Sequence, residues 1–200
     1  MATSRKTSIA LLSEPTPFAI REERLRDIAA REALLDSSFG SNRQQRTCQR
    51  LRDGRAPAEG LSFSAVSSRR RIGTIRLWHV NAGGVPALVL GPLAVDPSYR
   101  GFGIGAALVR HALEAARARG HGAVILLGDA PYYGRFGFSP RKAAELTLPG
   151  AFERERLLAL ELRDGVLDGA WGMILPTGKP MPRGKPRATV RAGKLAPQVA

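Results

Sequence analysis

Arg100-Gly101-Phe102-Gly103-Ile104-Gly105 decides how this chain is read. Two apolar stretches precede it, Ala87-Leu88-Val89-Leu90 and Leu93-Ala94-Val95, and a helical pattern begins at Ile104. A strand, a glycine-rich turn and a helix start, in that order, build an anion site. N–H groups in the first turn of a helix have no intrahelical partner, and the helix dipole favours negative charge there. Glycines let those groups approach a phosphate closely. Arg100 adds a guanidinium that can fork onto phosphate oxygens. The Walker order is absent, since no Gly-Lys-Ser/Thr follows. Gly-x-Gly-x-x-Gly is also absent, because the glycines fall at 101, 103 and 105.

The flanking segments set the order of elements. Residues 104–119 repeat Ile104, Leu108, Ala112 and Ala115 on one helical face, set Arg110 four before Glu114 on another, and stop at Gly120. Residues 123–127 are wholly apolar, as suits a strand at a sheet centre. A helix between two apolar strands is a crossover and predicts a parallel pair. Upstream, 61–67 and 72–80 alternate as strands, and Asn81-Ala82-Gly83-Gly84 turns the chain into the 85–95 strand. Residues 18–20 are a short strand. Residues 22–36 read as a helix with Leu25, Ile28, Ala29 and Leu35 on its stripe, ended by Gly40. Residues 43–52 read as a basic second helix closed by Asp53-Gly54, and 132–136 as a short helix. Residues 157–162 and 169–174 pattern as a final hairpin. The predicted fold class is α/β, a mixed sheet flanked by helices.

Two hundred residues, 44% hydrophobic, suit one domain with a real core. No apolar run reaches the roughly 18 residues needed to span a bilayer. The domain is expected over 15–175. Residues 1–14 read as a loose arm: Arg5 and Lys6 precede Ile9-Ala10-Leu11-Leu12, which is short for a signal sequence, and no cleavage site follows. Residues 176–200 carry five prolines and six basic residues without an acidic one, and read as a disordered tail. Removing those six leaves +8 of the net charge of +14. Cys48 is the sole cysteine, so no intrachain disulfide or cysteine metal cluster can form. His79, His111 and His121 are not at metal-ligand spacing, so no metal is expected, and the cytoplasm is the expected location.

Arg-x-x-Gly-x-Gly at 100, 103 and 105, preceded by Val95-Asp96-Pro97, resembles motif A of the GCN5-related N-acetyltransferases. Tyr133-Gly134-Arg135-Phe136-Gly137-Phe138 is similar to that family's Tyr-x-x-x-Gly-Phe segment. Two motifs in the right order, about 30 residues apart, are far more specific than either alone. The wording around them, Leu90-Gly91-Pro92-Leu93-Ala94-Val95-Asp96-Pro97 and Gly128-Asp129-Ala130-Pro131-Tyr132-Tyr133, is most similar to the YhbS-like branch. The strong resemblance covers about 72–140; elsewhere it is one of layout. It implies the acyl-CoA N-acyltransferase fold, a twisted mixed sheet splayed between its fourth and fifth strands.

The resemblance also implies roles. Arg100, Gly101, Phe102, Gly103, Ile104, Gly105 and Ala106 would hold the pyrophosphate of acetyl-CoA. Leu93, Ala94 and Val95 would line the pantetheine arm, with main-chain bonds from Leu93 and Val95. Gly91-Pro92 interrupts that strand, and proline cannot donate to a ladder, so the interruption would open the gap the arm needs. Tyr133 would donate a proton to the departing thiolate. Phe136 and Phe138 read as core, with Phe136 also counted against CoA. Asp96-Pro97 reads as a structural turn, and Cys48 as a bland thiol without an activating base.

The general base stays open among His79, Glu22, Glu23 and a water. The 85–95 strand has no acidic residue. The leading reading is therefore an enzyme that moves an acetyl group from acetyl-CoA to a primary amine by direct attack in a ternary complex. The rival is a catalytically weak acyl-CoA-binding or regulatory module of the same fold. The basic tail alone argues for nucleic acid, without interleaved aromatics or a DNA-binding motif, so nucleic acid and membrane are not expected partners. A homodimer is left open, and the acceptor is not named by any motif. The basic 43–52 segment suits either an anionic acceptor or a solvated face.

Overall fold

The 104–119 pattern folds as α2 (Ile104–Ala118), which buries Ile104, Leu108, Val109, Ala112, Leu113 and Ala116. That face lies on a mixed sheet in a computed structural model that describes residues 17–181. Around it run β1 (Ala19–Glu22), α1 (Ile28–Phe39), β2 (Ser62–Ser67), β3 (Arg70–Ala82), β4 (Val85–Val95), β5 (Ala123–Leu127), α3 (Ala130–Gly134), β6 (Leu146–Thr147), β7 (Leu157–Glu161) and β8 (Gly172–Pro176). The sheet order is β1-β2-β3-β4-β5-β7, antiparallel except for β4 beside β5. β8 joins the far end of β3 and carries β6 on its other side.

Two apolar layers sandwich the sheet. Ile72, Ile75, Leu77, Leu88 and Leu90 meet α2 on one face. Trp78, Val80, Ala87, Val89 and Ile125 meet Leu51, Leu146 and Leu167 on the other, where α1 also seats Leu34 and Leu35 on Ala94. Strand parity requires a correction along β4. Ile75 faces Leu93 and Leu77 faces Leu90, so two β4 residues, Gly91 and Pro92, stand opposite Arg76 alone. This bulge lets Leu90 and Leu93, three apart, point to the same face. The Trp78 indole N–H donates to the Gly91 carbonyl at 2.6 Å and pins it.

The parallel ladder between β4 and β5 is confined to Leu88↔Val124 and Val89↔Ile125. Beyond the bulge the strands part, as the interruption at Gly91-Pro92 predicts. That opening positions the site.

Three expectations are corrected. Residues 43–52 are not one α-helix but two 3₁₀ turns, Ser41–Gln45 and Thr47–Leu51, parted by an extended Arg46. The segment lacks an apolar stripe, and its arginines are anchored in different directions. Arg43 pairs with Asp36 at 2.6 Å, and Arg50 donates to the Pro149 carbonyl at 2.7 Å. The first helix starts at Ile28 rather than 22, and its buried side is Arg31, Leu34 and Leu35, while Leu25 and Ile28 are exposed. Ion pairs replace oil there. Glu23 takes Arg31 and Arg76, and Asp27 takes Arg21 and Arg71. Finally, β7 and β8 do not form a hairpin. β5 holds one edge of β7, and Ser139 exchanges both backbone bonds with Ala159 on the other.

Backbone pairing continues past 175. The Thr177 N–H donates to the His79 carbonyl, and the Ala56 N–H to that of Lys179. The Met181 N–H closes the run on the Gly54 carbonyl. The expected arm, 1–14, and the expected tail from 182 onward lie outside the described residues.

Candidate functional site

The turn after β4 is built from local chemistry. The Asp96 carboxylate accepts from the Ser98 N–H at 2.9 Å and holds Arg70 at 2.9 Å, so it is a structural cap. Gly103 is the N-cap of α2 with φ +75°, a left-handed conformation that disfavours side chains. A Cβ there would meet nothing within 4 Å, so the turn faces open space. The first N–H groups of α2 point out of the helix end. They border a hollow of about 360 Å³ lined by Val95, Arg100, Gly101, Gly103, Ile104, Gly105 and Ala106, with Tyr99, Tyr132 and Arg135.

A second, larger cleft of about 700 Å³ lies across the split between β4 and β5. Leu90, Gly91, Pro92 and Leu93 form one wall, and Leu126 to Asp129 and Tyr133 face them. The 3₁₀ turns and Phe152 close it over. Tyr132 and Tyr133, neighbours in the chain with rings 4.9 Å apart, mark where the two spaces adjoin.

α3 sets both tyrosines. Asp129 caps it by accepting from the Tyr132 N–H at 3.1 Å, with Pro131 in its first turn. The Tyr133 ring lies on the backbone of Gly128: a Cβ there would stand 2.4 Å from a ring carbon. Phe138 packs against the ring, 5.9 Å between centroids. Burial, then the neighbouring Tyr132 and Asp129, push the Tyr133 phenol up to about 12. Its hydroxyl has no hydrogen-bond partner among the described residues.

The other expected residues divide. Leu93 lines the larger cleft and Val95 the smaller hollow, but the Ala94 side chain turns away under α1. Phe102 is exposed and lines neither space, leaving only its backbone at the turn. Phe136 also lines neither; it stacks beneath Arg135 and Arg110.

The candidate bases are elsewhere. His79 packs against His121 at 5.4 Å on the α2 side of the sheet. Glu22 is exposed beside Arg119, and Glu23 is buried between Arg31 and Arg76. The carboxylates that line the cleft are Asp129, the α3 cap, and Glu153. Cys48 lines the cleft with its thiol pushed up by burial, and no histidine accompanies it there.

Sequence reading missed Arg135 in the hollow, stacked 4.1 Å over the Tyr132 ring, and Arg52 in the cleft. Arg135 lies inside the quoted Tyr133–Phe138 segment, so its sign was available. Arg52 was covered only by the reading of the whole basic 43–52 segment as suiting an anionic acceptor or a solvated face. Among the described residues, no group of three or more His, Cys, Asp or Glu gathers as a metal site, and no helix is long and apolar enough to cross a membrane.

The comparisons with known proteins agree with this architecture. Residues 23–138 match the acetyltransferase (GNAT) family. The uncharacterised N-acetyltransferase YhbS of Escherichia coli K12 is 31% identical over 157 residues, covering 78% of this chain and 93% of that protein. The crystal structure of E. coli YhbS in complex with CoA superposes with a TM-score of 0.68 at 30% identity, covering 86% of this chain and 94% of that one. A GNAT acetyltransferase of Brucella melitensis in complex with acetyl-CoA gives a TM-score of 0.52 at 29% identity, covering 84% and 97%. The paired motifs, the split sheet and these relatives agree: the chain belongs to the GNAT acetyltransferase family.

Proposed function

We propose that the protein transfers the acetyl group of acetyl-CoA to a primary amine by direct attack. The observation that carries this reading is the Tyr133 phenol, unpartnered, at the junction of the anion-binding hollow and the cleft. The related proteins from E. coli and B. melitensis bind CoA and acetyl-CoA. The hollow suits the same pyrophosphate. Arg100 and Arg135 supply cations, and the α2 N-terminus supplies N–H groups. The pantetheine arm would run along the edge of β4 exposed past the bulge, toward Leu93.

The amine nitrogen attacks the thioester carbonyl carbon, and the C–S bond breaks. The thiolate takes the Tyr133 proton, and the phenolate is reprotonated from solvent. A phenol held up to about 12 stays protonated at neutral pH and so is available as an acid. The amine proton leaves to water, since His79, Glu22 and Glu23 lie off the cleft. Rate gain then comes from positioning and from fixed dipoles rather than from a strong base.

A second reading, a CoA-binding module without turnover, is favoured by the position of His79, Glu22 and Glu23 away from the cleft. One pair of measurements separates them. Gly103→Asp puts a carboxylate into the hollow where space is open, at a left-handed φ that Asp tolerates better than most residues, so the fold is kept at a modest cost and CoA binding by calorimetry is lost. Wild-type affinity in that variant refutes the site. Acetyl-CoA bound normally by the wild type but never consumed, across a broad panel of amines and peptides, refutes the transferase and leaves the module.

A further inference from the structure

The roof of the cleft is cationic, and two of its cations have no carboxylate among the described residues. Arg43, Arg46, Arg52 and Arg156 line the space, against the carboxylates of Asp129 and Glu153. Two of the four arginines have carboxylate partners, and a third lies on a ring. Arg43 is held by Asp36 and Glu32. Arg46 covers the Phe39 ring at 4.9 Å. Arg156 reaches Glu153 at 3.5 Å. Arg52 differs. Its sole hydrogen bond among the described residues runs from Nε to the Cys48 carbonyl at 3.1 Å, and it makes no ion pair. Asp53, next in sequence, gives its carboxylate to the Gln49 amide instead. Both terminal nitrogens of Arg52 are without an acceptor among the described residues. One of them, Nη1, lies 3.7 Å from where a Gly91 Cβ would stand, at the bulge.

Arg52 is half-buried, so its guanidinium is partly withdrawn from water without a bonded counter-charge. Burial pulls the Arg52 pKa down; Cys48 and Asp53 nearby oppose that pull, and Arg43 and Arg46 add to it. An isolated chain gains nothing from that arrangement. A ligand that brings an oxyanion gains a planar fork of donors already in place, with no carboxylate bonded to it among the described residues. Gly91 is two residues along β4 from Leu93, on the same wall of the cleft. The anion would therefore sit only a few bonds from the reacting amine. A cleft of about 700 Å³, shared with the end of the pantetheine arm, suits a small molecule.

We infer that the acceptor is a small anionic amine, a primary amine bearing a carboxylate or phosphate that Arg52 grips beside the β4 bulge. The inference rests on the transferase reading and names its substrate class.

Matched amines that differ only in charge provide the test: β-alanine with β-alaninamide, and phosphoethanolamine with ethanolamine. Each is offered with acetyl-CoA while CoA release is followed. The charged member of at least one pair should be used about 10-fold or more better in kcat/KM, and the pair that responds identifies the oxyanion. Arg52→Gln keeps the side chain as far as Nε, and so a donor for the Cys48 carbonyl, while removing the charged fork. It should lower the charged arm about 10- to 100-fold while leaving the neutral arm unchanged. Arg52→Lys should recover part of the loss, since it restores charge without the fork. Calorimetry with acetyl-CoA on the same variants reports the fold and the cofactor site, and should give wild-type affinity. Equal use of charged and neutral amines, or equal losses on both arms in Arg52→Gln, overturns the inference and leaves the transferase reading intact. So does acetylation confined to peptides or proteins. Absence of acetyl-CoA binding by the wild type overturns both.

Discussion

Gly128→Ala is the sharpest test of the geometry around Tyr133. The new Cβ would stand 2.4 and 2.8 Å from two carbons of the tyrosine ring, and 2.9 Å from a Leu126 methyl. Ordinary contact begins near 3.4 Å, so the ring edge must withdraw by about 1 Å. It cannot do so freely, because Tyr132 and Phe138 flank it. The backbone of Gly128 has no left-handed φ, so the whole effect is steric. Overpacking of this kind costs about 1–3 kcal/mol of stability. A catalytic group displaced by about 1 Å typically costs on the order of 10²-fold in rate. Turnover should therefore fall about 10²-fold in Gly128→Ala, with acetyl-CoA affinity nearly unchanged. Tyr133→Phe alone should cost on the order of 10²- to 10⁴-fold. The double variant should be no slower than Tyr133→Phe, because a ring without a hydroxyl has no proton to misplace. Wild-type turnover in Gly128→Ala beside a crippled Tyr133→Phe would refute the positional argument. Additive losses would show that the clash acts through something other than Tyr133.

Two pH experiments follow from charge placement. Tyr133 acts in its protonated form and its phenol is pushed up to about 12. Turnover should hold through pH 10, where an ordinary tyrosine ionises, and fall only near 12; an alkaline limb near 10 that vanishes in Tyr133→Phe contradicts this. The hydrogen bond from Arg21, supported by the Arg24 N–H and Arg71, holds the Asp27 carboxyl well below the usual range against the cost of burial. Its folded pKa is depressed, so its stabilisation is full above the unfolded value of about 3.9 and drains as pH falls below it. Asp27→Asn should cost about 3 kcal/mol at pH 7 by stranding Arg71, whose side chain is 4% exposed. It should also flatten the acid limb of a denaturant-midpoint profile; an unchanged limb rules Asp27 out as its source.

Local signals were legible in the sequence, and non-local ones were not. The glycine turn, α2 and the strands around it announce themselves through periods of 3.6 and 2, and the proline in β4 marks the split. The stripe of α1 was misread because its centre is Arg31, which hydropathy counts as surface but which Glu23 neutralises from another element. The 43–52 segment has composition without periodicity, and its arginines answer to different partners, Arg43 to Asp36 nearby and Arg50 to the distant Pro149 carbonyl. β6 is two residues long, below any pattern. The motif resemblance supplied Tyr133, while its ring's seat on Gly128 came from packing. The place of Arg52 in the cleft needed four chain segments assembled at once, and no spacing encodes that.

The hydrogen bond that pins the bulge gives the protein an optical gauge of its own cleft. There are two tryptophans. Trp171 is 75% exposed, whereas Trp78 is 7% exposed and donates its indole N–H to a carbonyl in the cleft wall. A water-borne quencher such as iodide will silence Trp171 and leave emission from Trp78. Indole fluorescence responds to charge and hydrogen bonding at the ring nitrogen, so a molecule settling against Gly91 or Arg52 changes the colour or brightness of that residue. Candidate acceptors can thus be sorted by light alone, in unlabelled protein, before a single acetyl group has moved.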